Sequence, residues 1–216
     1  MPASLSAYLI PNLYEADSYY AVDTKTGVMR DRNQTKVVTL SGMMLKGLYI
    51  GLKNETGPAW ALVLRRCGET WGTRFAKRFL GDISAFYGQP LDQMPMARFT
   101  ALMVEYFAVS GWGKLNFDFR HIGGGLIIAE VNNALLGDVL RSSGERADVL
   151  LEGVLKALFC AVTGKEMDCY ETQCIAQGAP SCLFIIGLES RLADVPEMLE
   201  KNEKHAEILA KLLKKS

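Results

Sequence analysis

The stretch KLNFDFRHIGGGLIIAEV, residues 114–131, is where the chain changes rhythm. Leu115, Phe117 and Phe119 alternate with Lys114, Asn116, Asp118 and Arg120, which is the period of a half-buried strand. Gly123-Gly124-Gly125 makes a turn and residues 126–131 a partner strand, so the spacing predicts a β-hairpin. A glycine run that cradles phosphate should lead into a helix, and here a strand follows.

Upstream of this point apolar residues recur every three or four positions. Ser41 is placed to cap a helix whose stripe is Met44, Leu45, Leu48, Tyr49 and Leu52. After Gly57-Pro58 a second helix runs from 59 towards 87, with Leu64, Cys67, Trp71, Phe75, Phe79 and Ile83 on one face. Gly68 and Gly72 lie one turn apart on it and allow another helix to approach closely. A third helix is expected over 94–109, with Phe99, Met103, Tyr106 and Phe107 on one side.

Downstream, a helix over 144–162 ends at Gly164. Two short strands follow, over 167–175 and Cys182–Leu188. The last helix has Asp194 and Glu197 spaced as a capping box and ends in Lys211, Lys214 and Lys215. Residues 1–37 read as an irregular extension with turn signals at 23–27 and 30–33. The division is thus a 1–37 extension, a 38–190 domain and a 191–216 amphipathic helix. The fold class is α+β, an antiparallel sheet packed with helices.

Lysine plus arginine balance aspartate plus glutamate, 24 against 24, so no basic surface for nucleic acid is expected. No segment is apolar and long enough to span a bilayer, and the N-terminus lacks an export pattern. The five cysteines fit a reducing cytoplasm, with thiols free or metal-bound. His121 and His205 accompany no nucleophile signature, and no Walker or dinucleotide fingerprint is present.

The stretch ETQCIAQGAPSC, residues 171–182, carries the metal chemistry. Glu171, Cys174 and Cys182 are all zinc-ligand types. In a regular strand Glu171 and Cys174 face opposite ways, so a shared ion needs a bulge or a strand end near Gln173. Cys160 or Cys169 could supply a fourth ligand. Buried thiols and a cross-hairpin disulfide are the competing readings.

Glu171-x-x-Cys174, Gly178 and Cys182-x-Phe184-x-Ile186, preceded by a helix, Gly164-Lys165 and a strand, resemble the C-terminal signature of the 4-vinyl-reductase domain family. The resemblance covers roughly residues 38 to 190. It implies an α+β fold similar to TRAPP-complex subunits and a role in binding small hydrophobic molecules. Some members are sensory domains of phenol- and xylene-responsive activators, with a zinc site of such Glu and Cys residues. Others stand alone in photosynthetic bacteria, linked to chlorophyll synthesis or photosystem assembly, and the closest likeness is to cyanobacterial members of that kind.

On this resemblance Glu171, Cys174 and Cys182 become ligands of a structural zinc, with Cys160 assigned the fourth place. The family's own fourth ligand lies further upstream, at a position that falls near Asp148. Trp71, Phe75, Phe79, Phe99, Phe107 and His121 are assigned to an apolar pocket between helices and sheet, ordinary core packing being the competing reading. The expected function is binding rather than catalysis, with a tetrapyrrole or its precursor as ligand. A vinyl reductase and a ligand-free scaffold are the alternatives, and no nicotinamide or flavin motif supports the former. The expected partners are a second copy, through the apolar face of 195–213, and photosystem assembly proteins. The expected location is the cytoplasm or the periphery of the thylakoid membrane.

Overall fold

The structure is a computed structural model that describes residues 13–14, 19–90, 93–141 and 143–214. The first residues, read above for export, and Lys215 lie outside these. The hairpin at 114–131 is formed by β4 (Lys114–Asp118) and β5 (Leu126–Asn132), antiparallel with Phe117 opposite Ala129. A second hairpin joins β6 (Met167–Gln173) to β7 (Cys182–Leu188). The hairpins meet through β5 and β7, giving one four-stranded antiparallel sheet in the order β4-β5-β7-β6.

Both faces of this sheet are covered, which is why residues 126–131 read as an almost unbroken apolar run. Ala129, Val131, Phe184 and Ile186 face a large core shared with the long helices. Leu126, Ile128 and Ile185 face a smaller one. The large core is closed by α2 (Trp60–Tyr87), α3 (Met96–Val109) and α5 (Val149–Thr163). Gly68 and Gly72 of α2 press on the α5 backbone: a Cβ at Gly72 would stand 2.8 Å from Val154 Cα. The glycine pair is therefore spent on helix–helix contact, as its spacing predicted.

α1 (Gly42–Thr56) begins at Ser41, whose Oγ accepts from Met44 N at 3.2 Å. Of its predicted stripe only Tyr49 is buried; Met44 and Leu48 are exposed, as are Met43 and Ile50. The N-terminal segment is not irregular. Its turn signals close a three-stranded sheet, β1 (Tyr20–Asp23), β2 (Val28–Asp31) and β3 (Lys36–Val37). Gly27 takes a left-handed φ of 67°, and Asp23 caps that turn through Lys25 N and Thr26 Oγ1. This sheet is fastened to α2 by Arg78 with Asp31 and by Asn33 with Asp82.

The final helix is also corrected, being three short ones: α6 (Glu189–Leu192), α7 (Val195–Glu200) and α8 (His205–Lys214). Asn202 adopts a left-handed φ of 57° and breaks the run. A reach-back of the kind predicted for Glu197 occurs further along, where Lys204 N donates to Glu207 Oε2 at 2.9 Å. Ile208 and Leu212 of α8 are fully buried against the outer sheet face, so the apolar face expected to pair with a second copy is already covered within the chain. Between β5 and α5 lies α4 (Leu135–Val139), a short helix missed in the sequence.

Candidate metal centre

Four side chains from three elements converge at one end of the large core. Asp148 precedes the first turn of α5, Glu171 is near the end of β6, Cys174 follows it, and Cys182 opens β7. One donor atom from each lies within 4.8 Å of all the others, and all four residues are buried.

The local backbone explains how an odd spacing serves one point. The β6–β7 register shifts between Glu171 and Gln173, and β6 ends at Gln173. That irregularity turns Cys174 to the side Glu171 faces. A 3-10 turn over Ile175–Gln177 and a left-handed Gly178, φ 89°, then return the chain to Cys182.

The distances suit a tetrahedral ion. Cys174 Sγ and Cys182 Sγ are 3.8 Å apart, and metal–sulfur bonds of about 2.3 Å at the tetrahedral angle put two sulfurs about 3.8 Å apart. Cys182 Sγ is 3.3 Å from Asp148 Oδ2. Backbone amides support each sulfur: Ala147 N lies 3.4 Å from Cys174 Sγ and Ile175 N 3.4 Å from Cys182 Sγ. Asp148 Oδ2 accepts from Gly137 N at 3.1 Å, and Glu171 Oε2 accepts from Asp148 N at 3.0 Å. Glu171 Oε1 is buried with no hydrogen-bond partner among the described residues, a state that normally costs free energy and that a cation would relieve.

The electrostatics agree. Burial, then the nearby Asp148, pushes the Glu171 carboxyl well up from its ordinary range. Burial, then Cys174, raises Asp148 to about 7. The Cys182 thiol beside Cys174 lowers Cys174 to about 5, and that same contact, then burial, drives Cys182 far up. Four acidic groups packed this closely resist ionising together without a counter-charge. Two thiolates and two carboxylates make a closed S2O2 set, the donor pattern of a structural rather than a catalytic zinc site. The residues fit zinc.

Cys160 is not part of this group. It lies twelve residues along α5 from Asp148, about 18 Å at 1.5 Å per residue, and its Sγ contacts Met167 N and O at 3.3 and 3.6 Å. Cys169 is buried elsewhere on β6 and is likewise outside the cluster. Sequence reasoning missed Gly137 of α4, where a Cβ would stand 3.1 Å from Cys182 Sγ and 3.2 Å from Asp148 Oδ2. It also missed the adjoining ion-pair network. Arg65 of α2 pairs with Glu152 at 2.9 Å and with Asp168, whose other oxygen accepts from Tyr170 OH at 3.0 Å. Glu152 Oε1 in turn accepts from Glu171 N at 2.8 Å. The available signal was Glu152 itself, an acid inside an otherwise apolar helix.

The six residues assigned to a ligand pocket fall in three places. Phe75, Phe79, Phe99 and Phe107 are buried in a ring cluster with Tyr106. Tyr14 stacks on Phe79 at 5.5 Å and fills the space where the pocket was expected. Trp71 is 39% exposed and borders a groove on α2. His121 shares a polar cleft on the outer sheet face with Asp118, Glu130 and His205.

Comparison with known proteins follows this geometry. No curated protein matches the chain in sequence. Among solved structures, the phenol-responsive sensory domain of the transcription activator PoxR, determined with phenol, is 15% identical and has a TM-score of 0.68, covering 94% of this chain and 99% of that one. A trafficking protein particle complex subunit 3 from Naegleria fowleri, covalently bound to palmitic acid, is 14% identical with a TM-score of 0.51, covering 68% and 92%. A vinyl-4-reductase family protein from Methanocaldococcus jannaschii is 15% identical with a TM-score of 0.45, covering 71% and 83%. At these identities the likeness is one of fold. The family model of the 4-vinyl-reductase domain matches residues 127–188, the segment that contains all four clustered donors. From β5 through β7, then, the chain belongs to the 4-vinyl-reductase domain family.

Proposed function

We propose that this chain is a non-catalytic module of the 4-vinyl-reductase domain type that binds a small hydrophobic molecule and is held together by a structural zinc ion. The observation that carries this reading is the buried Asp148–Glu171–Cys174–Cys182 cluster within the segment the family model matches. A fold shared with a phenol-bound sensory domain supports the ligand class. The zinc would supply the positive charge the four donors lack. Asp148, Glu171, Cys174 and Cys182 would hold it, fastening the last hairpin to the start of α5. No position would be left for a substrate, so its role would be structural.

The finer reading takes a tetrapyrrole or its precursor as ligand and places the protein, as a stand-alone member at the thylakoid periphery, in pigment synthesis or photosystem assembly. It rests on the sequence resemblance. A homodimer belongs to the same reading, with the exposed Met43, Met44, Leu48 and Ile50 of α1 as its face. Native mass spectrometry of protein purified under reducing conditions tests the whole. One zinc per chain together with a bound small molecule is the expected result. Apoprotein that neither takes up zinc nor retains a small molecule overturns it.

A further inference from the structure

α2 carries two neighbouring rows of side chains on its outward side. Val63, Cys67 and Trp71 form one, each a turn beyond the last; Arg66, Thr70 and Arg74 form the other. Together they line an open groove of about 440 Å³. Its floor is rigid, because the Trp71 ring stacks on Trp112 at 5.4 Å and on Phe75 at 5.5 Å.

The arginines on this helix have different fates. Arg65 is engaged by Glu152 and Asp168, and Arg78 by Asp31 and Asp82. Arg66 and Arg74 make no ion pair or side-chain hydrogen bond among the described residues. They stand about 12 Å apart along the axis, at 1.5 Å per residue, with Trp71 between them. Among the described residues no acidic side chain lines the groove. A flat apolar wall flanked by two free guanidiniums complements a flat apolar molecule bearing an anionic group, which would stack on the ring and pair with the fork of an arginine.

We infer that this groove is the ligand site and that its ligand is a planar hydrophobic carboxylate. The inference rests on the small-molecule-binding reading above and adds the place and the charge of the ligand. 1-Pyrenebutyrate and its neutral amide are suitable probes, followed by pyrene fluorescence under reducing conditions. The carboxylate should bind saturably and about two- to fivefold more tightly than the amide, with the advantage fading in salt. Arg66→Gln with Arg74→Gln should erase that advantage. Trp71→Leu should weaken both probes, on the order of tenfold. Bound carboxylate should slow alkylation of Cys67, the exposed thiol in the groove, and leave Cys160 unchanged.

Equal binding of acid and amide overturns the inference, as does an advantage that survives loss of both arginines. Binding that leaves Cys67 unprotected would place the ligand elsewhere, sinking this inference while the small-molecule reading stands. Self-association of ligand-free protein that shields Cys67 would make the groove an interface between copies, and would also overturn it.

Discussion

Two buried polar clusters lie side by side in this protein, and they solve the same problem differently. Around Arg65, the carboxylates of Glu152 and Asp168 have their counter-charge built in, with Arg146 3.6 Å from Glu152 and Lys156 3.9 Å from Asp168. Burial acts against the Arg65 charge, but the two carboxylates outweigh it and raise its pKa. One residue along β6 from Tyr170, Glu171 joins Asp148, Cys174 and Cys182, a cluster whose four members include no cation. The first cluster is complete as folded. The second is complete only with something positive from outside, and that contrast, more than the residue types, marks it as a binding site.

The largest test of the contrast strikes the scaffold both clusters share. Gly153 of α5 lies against α2 where a Cβ would overlap the Arg65 carbonyl and stand 2.6 Å from Glu69 N. Gly153→Val should cost about 3 kcal/mol or more, read as a lower urea midpoint. An unchanged midpoint would mean the helices have room to part.

Next, Arg65→Met leaves Glu152 and Asp168 buried beside weaker partners. A loss of about 3 kcal/mol is expected in the same assay, with or without zinc. If added zinc rescued it, the two clusters would not be independent.

Zinc itself should act only on the second cluster. At a free concentration about a hundredfold above its Kd it should raise stability by about 2.7 kcal/mol, and Glu171→Gln with Cys182→Ser should abolish the gain. Calorimetric scans with zinc and with chelator would measure it, and a gain that persists in the double variant would refute the assignment. Cys160→Ser should cost under about 1 kcal/mol, since serine can also bond to Met167, and should leave zinc stoichiometry unchanged.

The smallest effect concerns the outer face. Burial, then the nearby His121, lowers the His205 pKa from its ordinary 6.5. The unfolded chain therefore binds the proton more readily, and the contribution of His205 to stability is complete above pH 6.5 and declines as pH falls below it. Its Nδ1 is 2.6 Å from Thr172 Oγ1. His205→Gln should flatten the pH dependence of the melting temperature between pH 7 and 5; an unaltered slope would assign it to other groups.

The sequence made some of this readable and some not, for physical reasons. Both hairpins announced themselves through the change of period, and Gly68 and Gly72 through a one-turn spacing with few other uses. The bulge at Glu171–Gln173 followed from parity alone, given a shared ion. Cys160 misled because residue type shows nothing of position along a helix: the cluster is at one end of α5 and Cys160 at the other. The N-terminal sheet was missed because its strands are four, four and two residues long and largely exposed, too short and polar for periodicity to register. The filled core was missed because Tyr14 meets Phe79 and Tyr106 across a distance in sequence that no local pattern encodes.

All four donors of the cluster come from the single stretch 148–182. An ion bound there closes a short loop, and loop-closure entropy rises only slowly with length. Capture is thus a local event, open to the chain as soon as α5 and the last hairpin exist, whether or not α2 has docked. The unfolded chain also keeps the four donors within reach of one another, so part of the ion's affinity acts there too and is lost to the stability balance. Zinc in such a site would act less as a rivet driven into a finished structure than as a seed around which the second half of the fold assembles.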